Sequence, residues 1–143
     1  MTLAQDTQLG LQNRFKVVVD GIDLGGWTQC KGLKVSFNLE KIKSGGEHDH
    51  MYYLPGHVEY STITLVRAMN SIDAPKVMQW LSSRLGSFTG GTAQITLLDA
   101  MVKPVHTWSL RNVFPMSWTG PEMNAKTSDI ATEVLELAHE GFL

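Results

Sequence analysis

Apolar residues fall at every second position in several short runs, the period of a strand with one buried face. Phe15, Val17 and Val19 alternate with Arg14, Lys16 and Asp20, and Val35, Phe37 and Leu39 alternate with Lys34, Ser36 and Asn38. Within Tyr60 to Arg67, Ile63 and Leu65 oppose Thr62 and Thr64. Gln94 to Leu98 is a further run, followed by a turn at Asp99 to Pro104 and by His106 to Phe114, where Trp108, Leu110 and Phe114 share a face. Asp20-Gly21 and Gly25-Gly26 supply turn chemistry around Ile22 and Leu24. One segment has helical spacing instead. Val77, Leu81 and Leu85 stand at i, i+4 and i+8 beside Met78 and Trp80, with Asp73 as N-cap, Pro75 in the first turn and Gly86 as a stop. This predicts one α-helix over about 74–85, buried along Val77, Leu81 and Leu85.

Two stretches lack a decisive pattern. Lys41 to His57 shows no period and reads as a long loop carrying Gly45-Gly46, Tyr52-Tyr53 and Pro55-Gly56. Loops of that length inside a compact domain are often functional. Asp129 to Phe142 suits a helix through Ile130, Val134, Leu135 and Ala138, and equally a strand through Thr132, Val134, Leu135 and Leu137. Residues 1–13 read as a polar arm. Together the elements predict a mainly β, mostly antiparallel domain spanning 1–143, with one helix.

Composition narrows the function. A chain of 143 residues with 43% apolar content is long enough for one good core. A net charge of −2 and a pI of 6.2 argue against a protein that grips phosphate backbones. No run approaches the roughly 18 apolar residues of a membrane span, and the start lacks the features of a secretory signal, so synthesis in the cytoplasm is expected. The single Cys30 excludes an internal disulfide framework. Charged residues make up only 18%, against about 25% in ordinary domains. The outward strand positions Ser36, Asn38, Thr62, Thr64, Gln94, Thr96, Thr107 and Ser109 are neutral. Either threonine is present for its strand preference, or these faces meet other subunits or an enclosed channel.

Candidate chemistry is thin. Glu47-His48-Asp49-His50, with His57 nearby, has metal-ligand residue types. An exposed polar loop is the preferred reading of them, and no second Cys or His cluster completes a site, so no metal or cofactor is expected. Cys30 has no nucleophile partner, and neither a Gly-x-Ser-x-Gly elbow nor a phosphate-binding glycine loop occurs. No enzyme is expected.

An ordered set of motifs resembles a known family. Leu54-Pro55-Gly56, Tyr60, Ile63-Thr64-Leu65 and Arg67 are similar to a signature of tail tube proteins, the inner-tube subunits of contractile phage tails and extracellular contractile injection systems. The helix with Trp80 follows, then Trp108, Asn112, Phe114-Pro115, Pro121, Asn124-Ala125 and Ser128-Asp129-Ile130; Arg14-Phe15 and Gly32-Leu33 resemble the family's opening. The resemblance covers about residues 14–142. It departs at Ala68-Met69-Asn70, at Asn124 where Asp is common, and in the His-rich loop.

The resemblance implies two packed antiparallel sheets in a barrel-like sandwich with one flanking helix, and a strand over Asp129 to His139. It also implies a hexameric ring former whose rings stack into a hollow conduit for cargo protein or DNA. Sheath, spike or baseplate and cap proteins are the implied partners, within a phage tail or tail-like particle. By the same resemblance the 41–57 loop contacts a neighbouring subunit or ring through Tyr52, Tyr53, Leu54 and Pro55, and Thr62 and Thr64 are candidates to face the lumen. The alternatives are a tube initiator joining the tube to the spike and a monomeric small-molecule-binding β-barrel with an apolar pocket.

Overall fold

The computed structural model describes residues 15–43 and 51–143. Alternating apolar positions become strands β1 (Phe15–Val19), β2 (Ile22–Gly26), β3 (Gln29–Lys31), β4 (Val35–Lys43), β5 (Met51–Tyr60) and β6 (Ile63–Ala68). Helix α1 (Ala74–Arg84) precedes β7 (Gly91–Leu98), β8 (Pro104–Thr119) and β9 (Thr132–Ala138). Two antiparallel sheets result: seven strands in the order β2-β1-β7-β8-β9-β6-β3, and the pair β4-β5.

The packed layers are two halves of the larger sheet, which share β8. Its first part pairs with β7 and its second with β9. Between them Asn112 takes a positive φ of 47°, and the β7 register slips beside it. That irregularity shifts the alternation: Leu110 and Val113 are both buried, and Phe114 leaves the face of Trp108 and Leu110. Cross-strand rows such as Val17, Ile95 and Trp108 in one half, and Leu65, Leu135 and Trp118 in the other, feed one hydrophobic cluster. Each fully buried aliphatic side chain contributes about 1.5–3 kcal/mol of transfer free energy.

Helix α1 covers this core through Val77 and Trp80, with Leu81 half-buried. Leu85 is 82% exposed, because the helix ends at Arg84 and Leu85 turns out in extended conformation; the buried stripe is therefore Val77, Trp80 and Leu81. Trp80 Nε1 donates to Asp20 Oδ2 at 2.8 Å, and Asp20 Oδ1 accepts from the Thr92 amide, so one carboxylate fixes the helix to two strands. Asp73 occupies the N-cap position without capping. Its carboxylate is drawn instead to Arg67, Asn70 and Lys76.

Arg67 and Glu133 lie in phase with Ile63, Leu65, Leu135 and Leu137, and this puts both charges inside the core. Arg67 Nη2 donates to Glu133 Oε1 at 3.2 Å and to the Asp73 carbonyl at 3.2 Å, while Nη1 donates to the Leu24 carbonyl. The guanidinium lies 4.0 Å from the Trp27 ring centroid. One side chain thus joins β6, β9, β2 and the start of α1.

Candidate functional site

Residues 41–57, expected as a loop, are strand wherever described: Lys41–Lys43 belong to β4 and Met51–His57 to β5. Residues 44–50, with the Glu47-His48-Asp49-His50 cluster, lie outside the described residues. Hydrophobic period failed as a guide because neither face of this hairpin is buried by the described residues. Among the described residues β4 and β5 pair with each other and with no strand of the larger sheet. At ten residues, β5 reaches roughly 33 Å.

The register separates two faces. Val58, Pro55, Tyr53 and Met51 of β5 stand beside Phe37 and Leu39 of β4, with Lys41 Nζ 5.6 Å from the Tyr53 ring centroid. Phe37, Met51 and Tyr53 are each about 60% exposed, so this apolar face is uncovered. The opposite face mixes Tyr52, Leu54 and Ile42 with Ser36, Glu40 and a polar cluster in which His57 Nε2 lies 2.9 Å from both Glu59 Oε1 and Asn38 Nδ2. Hydrogen bonding to His57, then to Asn38, holds the Glu59 carboxyl below its usual range. The strands slip in register here, and a Cβ on Gly56 would sit 2.7 Å from the Asn38 carbonyl oxygen, so glycine permits the close approach.

The four interface candidates therefore divide. Tyr53 and Pro55 join the apolar face; Tyr52 and Leu54 lie on the other. Thr62 and Thr64 also separate. The expected strand from Tyr60 to Arg67 breaks at Ser61 and Thr62, leaving Thr62 exposed in the link and Thr64 half-buried in β6. Thr64 is on the side of the sheet away from Leu65, between Lys31 of β3 and Glu136 of β9.

Other apolar groups are uncovered where no alternation announced them. Leu85 and Phe88 follow α1, Met101 and Val102 form the β7–β8 turn, and Met123 and Ile130 belong to the connection before β9. An open cleft of about 590 Å³ between the two halves of the large sheet is lined by Phe15, Cys30, Leu33, Ile95, Leu97 and Trp108. Burial raises the Cys30 thiol to about 11, so it is a poor nucleophile at neutral pH. Among the described residues no group of three or more His, Cys, Asp or Glu side chains could hold a metal, and no helix is long and apolar enough to cross a membrane.

A β domain whose long apolar hairpin finds no cover among the described residues has the form of a subunit that assembles with others. Residues 11–143 match the T4-like virus tail tube protein gp19 family, and the chain belongs to it. The family is one of virus tail tube proteins.

Solved structures share the fold. A chain of the PVC sheath-tube complex of an extracellular contractile injection system, in its extended state, superposes with a TM-score of 0.74 at 24% identity, covering 90% of this chain and 86% of that one. A chain of the PVC sheath/tube terminator gives 0.76 at 24% identity, covering 96% of each. A chain of the anti-feeding prophage baseplate gives 0.75 at 22% identity, covering 94% of each. A search of curated proteins returns no match.

Proposed function

We propose that six copies of this chain close into a ring by joining their sheets, and that rings stack into a hollow tube through which cargo protein or DNA passes. The observation that carries this reading is the β4–β5 hairpin, whose apolar face has no cover among the described residues. Among the described residues the sheet also ends at β2 and β3, two edges without a partner strand that a head-to-tail contact would remove. Closure of those edges across six subunits makes a barrel around the lumen. The sheath-tube, baseplate, terminator and cap assemblies that contain similarly folded chains support sheath, baseplate and cap proteins as partners, and a spike protein is a further partner in this reading, within a phage tail or tail-like particle.

Thr62 and Thr64 face the lumen in this reading. Thr64 is flanked by one cation, Lys31, and one anion, Glu136, so the wall offers no field of a single sign. A moving polymer would find nothing there to hold it.

The orientation is tested by Thr64→Cys in a Cys30→Ala background, assembled and then labelled. A small maleimide should modify position 64, while one bulkier than the bore should react at least tenfold more slowly except at tube ends. Equal labelling by both reagents would place Thr64 on the outside. Restoring Cys30 should add little labelling at neutral pH, given its raised thiol pKa.

A further inference from the structure

We propose that His139 is a proton-operated latch between the root of the β4–β5 hairpin and the segment that follows β9. Its two ring nitrogens join different parts of the chain. Nε2 lies 3.0 Å from the carbonyl oxygen of Ser61, the residue after β5, and Nδ1 accepts from the Gly141 amide at 3.1 Å. A carbonyl on one side and an amide on the other are both satisfied by one species, neutral imidazole with its proton on Nε2. The ring also packs with Tyr60, the last residue of β5, and with Phe142, at centroid distances of 5.5 and 6.0 Å; Tyr60 and Phe142 meet edge-on at 5.1 Å.

The segment after β9 is fastened at the irregularity in β8. Arg111 and Gly141 form an isolated bridge, with the Arg111 amide donating to the Gly141 carbonyl and the Glu140 amide to the Arg111 carbonyl, each at 2.8 Å. Arg111 Nη1 donates to the Leu143 main-chain oxygen, and Asn112 Nδ2 donates to Glu140 Oε2 at 2.6 Å. A Cβ on Gly141 would lie 2.5 Å from Arg111 Nη2 and 2.9 Å from Tyr60 Cζ, so the three residues are in close contact. The charged and titratable groups around His139 are thus Arg111 from β8, Tyr60 from β5 and Glu140 beside it.

A second proton has only Nδ1 to occupy, and there it would meet the Gly141 N–H. Two donors would then face each other, close to the Arg111 guanidinium. Burial, the largest influence, holds the imidazole below its ordinary 6.5 against the opposing pull of its contacts with the Ser61 and Gly141 main chain, and Arg111 adds to the lowering. A folded pKa below the unfolded one gives stabilisation that is complete above the ordinary histidine range and is lost as pH falls through the folded value. Acid therefore frees the 139–143 segment and the Ser61 anchor of the hairpin. The latch is a property of one subunit; only its consequence for assembly rests on the hairpin reading above.

The test is hydrogen exchange by mass spectrometry on the full chain from about pH 8 to about pH 5, corrected for intrinsic rates, with the His139 C2–H exchange rate giving its pKa in the same samples. Protection of peptides covering 60–62 and 139–143 should fall progressively between the ordinary histidine range and the measured His139 pKa, tenfold for each pH unit that separates the two, and level off below it. His139→Asn keeps an acceptor for Gly141 but cannot titrate, and should show no such transition. Unchanged protection in the wild type, a loss confined to pH values outside the interval between the ordinary histidine range and the His139 pKa, or the same loss in His139→Asn would each overturn the proposal.

Discussion

Arg67→Ala will lower the unfolding free energy of the subunit by about 3–5 kcal/mol, a large part of the stability of a domain this size. The loss comes from what the arginine leaves behind. Glu133 is 0% exposed and would keep a buried carboxylate without its ion-pair partner, while the carbonyls of Leu24 and Asp73 lose a donor. Trp27 would also lose the guanidinium stacked on its ring. The pair itself is a different matter, since replacing both charges together removes the desolvation cost on both sides. Arg67→Met combined with Glu133→Leu should therefore recover most of the loss. Chemical denaturation of the unassembled subunit measures both variants. An Arg67→Ala protein within about 1 kcal/mol of wild type would show that the buried cluster is not a structural centre.

Phe37→Asp combined with Tyr53→Asp will abolish tube formation and leave the subunit folded. Both side chains stand on the apolar face, both are about 60% exposed, and neither contributes to the hydrophobic core. Removal of a central aromatic anchor from an interface typically costs 2 kcal/mol or more, so two amount to a weakening of roughly a thousandfold at each contact. The introduced carboxylates add a desolvation cost. Sedimentation velocity should find small species, with an unchanged circular dichroism spectrum. Tyr52→Ala, on the mixed face, isolates the contribution of that side. Tubes of normal length from the double variant would remove the hairpin from the assembly mechanism.

The strands that bury one face were legible in the sequence, because burial imposes a period of two that β1, β6 and β7 display. The hairpin was not, because none of the described residues buries either of its faces. Tyr52 and Tyr53 point to opposite faces, and their neighbours follow no single solvent side. The periodic half of β4, Val35 to Leu39, was recognised as strand, but the pattern gave no sign that its apolar face stays uncovered. The break at Ser61–Thr62 was likewise hidden. Gly32 approaches the Thr62 carbonyl too closely for any Cβ, a contact between parts of the chain thirty residues apart. The buried pair was available and missed, since Arg67 and Glu133 hold the inward phase of their strands. Strand β9 was undecidable from its own residues, where helical and strand patterns overlap; its pairing with β6 and β8 decides it.

The low charge of the chain, 18% of residues, fits a subunit whose surface is largely shared with neighbours. Negative-stain electron microscopy of the purified chain tests that claim most directly. The account predicts six-fold rings and stacks of rings with one uniform bore, forming without any added partner. Monodisperse single subunits at every concentration tried, with the hairpin intact, would contradict it.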